Sequence, residues 1–441
     1  MTRTGSQGYG GRSMGPRARR VAHFTLAVLF SANFINFVDR QVVAALAPTL
    51  KTAWSLTDGQ IGLLGTAFEI LYALGHVPLA LLADRWLRRR VIALAAAVWS
   101  AAMAITGGAR SYGMLLFGRA VLGLGEAGYG PAALAWLSDL YPPHRRTRIV
   151  GIHDTGVMLG SAAGYALGGV GAILGWRAVF NLAALPGFAL AILIWFLPEP
   201  AKGRSDYEAL GVDPQKACEP TMSIAATAGG LLSVRTLMVT YTAGALITFA
   251  IAGTTYWLPS FAVRLHGFRQ DAFGILTGLL TVVAGALGVL SGAFLADRLL
   301  QRRAAGRLLT ISLAALLGSP LAIGAILVPN RLLFVALSAL AMTAFALSLP
   351  CIAPLLHQVC QPQARATAMG FYLLFVHTLG NAPAPTLVGW LSDRTGDLRV
   401  AVLAAPLVAL VGGLIGLWGT RFVEQDEQLM RRSLCEMKDR G

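Results

Sequence analysis

The sequence predicts an all-α membrane protein, with twelve transmembrane helices in two pseudo-symmetric six-helix bundles. Three observations carry this. Of 441 residues, 56% are hydrophobic and only 13% charged, where an ordinary soluble domain is roughly 25% charged; mean hydropathy is +0.63. The apolar residues fall into a dozen runs, each near the ~20 residues that a bilayer-spanning helix needs. And the second half of the chain repeats the first.

Residues 1–20, rich in Gly and Arg, read as a disordered cytoplasmic N-terminal tail. The run that follows contains Ala45-x-Ala47, which imitates a signal-peptide cleavage site. It is long for a signal, and Pro48 sits where cleavage would leave a new terminus, so it is read as a retained first span. The spans are expected near 22–48, 58–82, 90–108, 112–141, 148–173, 177–197, 235–264, 272–296, 307–328, 331–357, 365–392 and 398–420. They group as an N-terminal bundle (21–197), a cytoplasmic linker (198–233), a C-terminal bundle (234–421) and a cytoplasmic C-terminal tail (422–441).

The net charge is +15, but its placement speaks against nucleic acid. Arginine supplies 32 of 36 basic residues, mostly in short clusters between spans. With the N-terminus inside, inner segments hold 26 basic residues and outer ones 8. That split places both termini in the cytoplasm, with the inner arginines against anionic lipid. The expected setting is a multi-pass plasma membrane protein of a bacterial inner membrane. Cys218, Cys351, Cys360 and Cys435 form no CxxC pair or metal spacing, so no cofactor or metal is expected.

The repeat is explicit. Ala80–Arg90, ALLADRWLRRR, and Ala293–Arg303, AFLADRLLQRR, share eight of eleven positions at an offset of 213. At an offset of 220, Pro142 and Thr147 match Pro362 and Thr367, Leu159-Gly160 matches Leu379-Gly380, and Gly169 matches Gly389. Parallel repeats of this kind are a transporter architecture with the site between the halves.

Charges inside spans mark function, because each costs on the order of 2.5–3.5 kcal/mol near the bilayer centre. Five stand out: Asp39, Arg40, Glu69, Arg119 and Glu126. Arg119 and Glu126 are seven apart, so they share a helix face about 10 Å apart, too far to pair. That leaves Arg119 for another acid or an anionic substrate and Glu126 for a proton. Arg40 points about 100° away from Asp39. It either takes part in that chemistry or packs outward and snorkels. Glu69, Tyr72 and His76 form one stripe, with Glu69 a second proton site, a cation contact or a carboxyl satisfied by the Tyr72 hydroxyl. His357 and His377 are lone helical histidines.

Several segments resemble the major facilitator superfamily. Ala80-x-Leu82-Ala83-Asp84-Arg85-x-Leu87-Arg88-Arg89 is similar to its G-x-L-A-D-R-x-G-R-R signature, with both glycines replaced. Asn36-x-x-Asp39-Arg40, Arg119-x-x-x-Gly123-x-Gly125-Glu126-Ala127 and His377-x-Leu379-Gly380-Asn381-Ala382-Pro383-Ala384-Pro385 resemble the Spinster-like branch. That branch usually carries Asp-Ala-x-Ser-Pro at the last of these, where Asn381 and Ala384 depart from it. The resemblance implies the major facilitator fold, with spans 1 and 4 lining a cavity and Asp39 as partner for Arg119. His377, Asn381 and Tyr256 are secondary cavity candidates, Tyr256 with Trp257 and Pro259 resembling the family's gate region or anchoring at the interface, and the resemblance implies a membrane-edge gate of Asp84, Arg85, Arg88, Asp139, Asp297 and Arg298. Gly123-x-Gly125-x-x-Gly128 imitates a dinucleotide fingerprint but lies inside a span with no strand before it. Gly156, Gly160, Gly164 and Gly168 form a close-packing ladder. No Walker motif or potassium filter is present.

The expected function is secondary active transport of an organic solute by alternating access, driven by protons. The solute is an amphiphile or lipid, as the resemblance implies, or a small organic anion held by Arg119. The rivals are an uncoupled facilitator of the same fold and a membrane sensor or enzyme that kept the fold without transport. The expected partners are substrate, protons and membrane lipids, the expected state a monomer, and no enzyme activity or nucleic-acid binding is expected.

Overall fold

The structure is a computed structural model and describes residues 16–201, 224–361 and 364–439. Its first half is α1 (Pro16–Trp54), α2 (Asp58–Arg85), α3 (Arg88–Gly107), α4 (Tyr112–Ala127), α5 (Tyr129–Leu140), α6 (Pro143–Leu174) and α7 (Trp176–Phe196). After α8 (Ile224–Ser233) come α9 (Arg235–His266), α10 (Gln270–Leu300), α11 (Gly306–Leu327), α12 (Arg331–Ala346), α13 (Ile352–Val359), α14 (Arg365–Phe375), α15 (Pro383–Thr395) and α16 (Leu398–Asp439).

Local chemistry sets many of these boundaries. Thr57 and Gln60 close a reciprocal capping box on α2. Ser111 and Asn330 cap α4 and α12 by accepting from Met114 N–H and Leu333 N–H. Gly267 and Gly396 take φ of +63° and +69° where α9 and α15 end. Among the described residues, nine helices are long and apolar enough to cross a membrane. Spans 4 and 11 are composite. Span 4 breaks at Gly128 into α4 and α5. Span 11 passes from α14 through a π turn at Val376–Asn381 into α15. Pro383 explains the turn: its ring cannot tolerate a regular carbonyl one turn back, and the Ala382 N–H reaches His377 O at 2.9 Å instead.

Two expectations shift at the ends. Pro16–Arg20, placed in the disordered tail, is helical, since proline suits a first helical position and arginine a helix interior. α16 runs far into the 422–441 tail and carries an i,i+4 pair, Arg431 to Glu427 at 2.6 Å. Residues 1–15 of the tail, 202–223 of the linker and the Asp84 side chain lie outside the described residues.

Without a hydrophobic drive between helices in lipid, close packing holds each half together. In α6, a Cβ at Gly160 or Gly164 would sit 2.2 Å from Phe34 O or 2.5 Å from Val38 O, so only glycine lets α1 lie this close. Between the halves, two contacts dominate: α2 against α15, and α6 against α10. They are one contact seen twice. Gly389 meets Asp58 O and Gly169 meets Asp271 O; 169 and 389 differ by 220, 58 and 271 by 213, the two offsets of the repeat.

Among the described residues, the hydrogen bonds joining the halves all lie between the outer helix ends and the pair Glu69–His377. These bonds hold together the side expected to face outward, called outer from here on, with the opposite, inner side expected to face the cytoplasm.

Candidate substrate and proton site

The charged residues of α1, α2 and α4 meet at the waist of the first half. Asp39, Arg119 and Glu126 are 0%, 2% and 1% exposed. Arg119 does not pair with the Asp39 carboxylate. Its Nη1 donates to the Asp39 backbone oxygen at 3.3 Å and its Nε to Leu64 O at 3.4 Å, with the guanidinium 4.9 Å from the Phe68 ring centre. Both Asp39 carboxyl oxygens are buried without a hydrogen-bond partner. The helix register brought the two residues together, but the arginine's reach ends on the backbone.

Glu126 has a partner that the sequence pattern did not pick out. Arg40 Nε donates to Glu126 Oε2 at 2.7 Å. The Arg40 guanidinium is packed among aromatic rings, 4.7 Å from Phe37, 5.2 Å from Phe68 and 4.3 Å from Tyr72. This is inward packing rather than snorkelling. Glu126 Oε1 has no partner. The cluster therefore holds two carboxyls with unused oxygens and two fixed guanidinium groups, arranged so that a proton has somewhere to go.

Glu69 crosses to the other half. Its Oε2 lies 3.0 Å from His377 Nδ1, and Asn381 Nδ2 lies 3.1 Å from the same nitrogen. The Tyr72 ring centre lies 5.1 Å from that of His377 and 5.6 Å from that of His76, both pairs tilted. Tyr72 thus supplies a wall rather than the carboxyl's partner. His377 and Asn381, four residues apart within the π turn, share one face; π turns often mark functional positions. Both members of the Glu69–His377 pair are about a fifth exposed, so the pair borders open space. His357 lies apart, beside Gln358 in α13.

Tyr256 belongs to the outer seal. Its hydroxyl donates to Ile61 O at 2.6 Å, and Gly65 makes room for its ring. Above it is a latch that sequence reasoning missed. Arg264 Nη1 donates to both Asp58 oxygens at 2.9 Å, Ser392 Oγ donates to Asp58 at 2.7 Å, and Lys51 completes the set. Asp393 caps α2 from the opposite half, accepting from Asp58 N–H and Gly59 N–H at 2.8 and 2.7 Å. Gln270 donates to Ala45 O and accepts from Thr49. The signal in the sequence is an acid at the first residue of span 2.

At the inner edge, Arg88 pairs with Asp139, and Glu199 accepts from the N–H groups of Arg88 and Arg89 at 2.9 and 3.1 Å. These contacts stay within the first half. Arg85, Asp297 and Arg298 are exposed.

Comparison with known proteins matches this architecture. The family model described as Major Facilitator Superfamily matches residues 29–385. Protein spinster of Drosophila melanogaster is 28% identical, covering 84% of this chain and 62% of that protein's own length. The sphingosine-1-phosphate transporter of Danio rerio is 25% identical over 93% of this chain and 86% of its own. A crystal structure of a bacterial homologue of the human lysosomal transporter Spinster, inward-facing and unoccupied, superposes with a TM-score of 0.81 at 23% identity, covering 96% of this chain and 99% of that one. The chain belongs to the Major Facilitator Superfamily of membrane transporters, in its Spinster-like branch.

Proposed function

We propose that the protein carries an amphiphilic, lipid-like organic solute across a bacterial inner membrane by alternating access, coupled to protons, as a monomer with both termini in the cytoplasm. One observation carries the coupling: Asp39 is fully buried with neither carboxyl oxygen bonded, beside an Arg40–Glu126 pair that leaves Glu126 Oε1 unused. Leaving a buried polar group unsatisfied is expensive. A proton that moves between these carboxyls as the cavity wets and dries relieves that cost in one state more than the other. Such a difference is what couples binding to a conformational change.

The site favours an amphiphile over a small anion. Arg119, the residue that would hold an anion, is 2% exposed and committed to backbone carbonyls, and Arg40 is committed to Glu126. The waist instead offers aromatic walls (Phe37, Phe68, Tyr72) beside a polar Glu69–His377–Asn381 patch, which suits a chain with a polar head. The names of relatives that carry sphingolipids point the same way.

The test is flux of a fluorescent single-chain sphingolipid into proteoliposomes under an imposed pH gradient. We expect flux that falls severalfold when a protonophore is added. Flux indifferent to the protonophore would mean an uncoupled facilitator, and no flux over protein-free vesicles would mean a sensor or another non-transporting role.

A further inference from the structure

A second pair of titratable groups lies on α6, outside the waist cluster. The side chain of His153 is 3% exposed and that of Asp154 is 56% exposed. The bonds around His153 fix where its protons sit. Leu29 O only accepts, so the Tyr129 hydroxyl bonded to it must donate. That hydroxyl has a single proton. At its 2.9 Å contact with His153 Nε2 it therefore accepts, and Nε2 carries hydrogen. Nδ1 lies 3.0 Å from Asp154 Oδ1. With a neutral ring and a bare carboxylate, two lone pairs would face each other there. The ring cannot change tautomer to help, because Nε2 needs its own proton. The contact is satisfied only when one further proton lies between Nδ1 and Oδ1.

Asp154 also faces the gap between the halves. It is about 40° around α6 from Met158, whose Cε is 3.0 Å from a Cβ built on Gly285 of α10. It is about 160° from the exposed Ile152 on the other side of the helix. Met158 lies against α10, and one turn nearer the inner side Asp154 is exposed. Few other charges bear on the dyad. α1 presents the Leu29 carbonyl and Asn33, whose amide donates to His153 O at 2.9 Å, and no ionisable residue between His23 and Asp39. α5 presents Tyr129. On α6 itself, Arg146 is turned to Ser138 O and Tyr141 O, and Arg148 is exposed. α10 has no ionisable residue between Asp271 and Asp297.

We propose that His153 and Asp154 form a proton-binding dyad on the inner vestibule, separate from the waist cluster, and that its proton permits closure of the inner side. With the proton the dyad is net neutral; without it a carboxylate stands alone. When α6 closes on the apolar face of α10 around Val289, water leaves, and a lone carboxylate there is costly. Closure therefore favours the proton-bound dyad, and proton binding favours closure by the same factor. The assignment needs alternating access but not the role proposed for Glu126.

The test is a distance measurement between spin labels at Arg145→Cys and Gln301→Cys, exposed positions at the inner ends of α6 and α10, in nanodiscs, with the native cysteines replaced. Between about pH 8 and pH 5.5 we expect the inner-closed population of the otherwise wild-type chain to rise at least about threefold. The rise persists in Glu126→Gln and is lost in Asp154→Asn and His153→Gln. The two variants act on opposite members of the pair, so one suffices if the other does not fold. A rise retained in either dyad variant, or absent from the parent chain, overturns the proposal. Loss in Glu126→Gln with retention in Asp154→Asn assigns the pH response to the waist cluster and leaves that reading standing.

Discussion

Arg40 and Glu126 define the account at the smallest scale. Arg40 Nε meets a carboxylate that is otherwise enclosed, at 2.7 Å. Removing one partner of such a buried pair costs on the order of 3–5 kcal/mol, while removing both is far milder. Arg40→Gln should therefore lower the thermal unfolding temperature more than Glu126→Gln does. The double variant should recover part of the loss, with a coupling of about 1–3 kcal/mol. Additive losses in a thermal melt would show that the pair is not coupled. The sequence exposed all five waist charges because each is costly in a span. It could not show the pairing. The helical angle separates Arg40 from Asp39 but does not say that α4 brings Glu126 under Arg40 while Arg119 ends on a backbone carbonyl.

The α2–α15 contact carries the outer seal at the scale of elements. A Cβ at Gly62 would lie 2.2 Å from Pro385 O, and one at Gly389 2.3 Å from Asp58 O. Both obstacles are backbone, so neither can swing aside. Gly389→Val should hold the outer side open, raising severalfold the reaction of a Thr386→Cys probe with an impermeant maleimide added from outside. Thr386 now donates to Thr66 at 2.7 Å within the seal, and unchanged labelling would show that the contact tolerates bulk. The match of Gly169 with Gly389 was visible in the sequence, as were Pro383 and Pro385. What those glycines touch was not, because a repeat reveals equivalence and not contact. The π turn was equally hidden: Pro383 predicts a break, but only packing decides that the break turns His377 and Asn381 toward Glu69.

The whole molecule is a pair of lobes that close at one end through two equivalent helix contacts. The equivalence ends at the charges. Asp58 is enclosed by Arg264, Ser392 and Lys51, whereas its counterpart Asp271 pairs with the mostly exposed Arg269. The latch therefore sits on one of the two contacts. Asp58→Asn keeps the cap geometry but removes the charge that Arg264 holds. With Arg264 a third exposed, solvent weakens the pair, and the loss should be about 1 kcal/mol, roughly a fivefold shift toward the outward-open population. Spin labels across the outer rim read it, and an unmoved population would show that the glycine contacts alone hold the seal. At this scale the sequence was most legible, because composition, charge asymmetry and the repeat each report on the whole chain. The latch escaped because its members are scattered over short outer loops and helix ends far apart in sequence. The proposed proton coupling at the waist joins the three scales, and its sharpest test is gradient-driven flux of a fluorescent single-chain sphingolipid into proteoliposomes, compared between the native chain and Glu126→Gln. The gradient should accelerate the native protein by about tenfold and leave Glu126→Gln exchanging substrate without acceleration; equal acceleration in both would rule out coupling through Glu126.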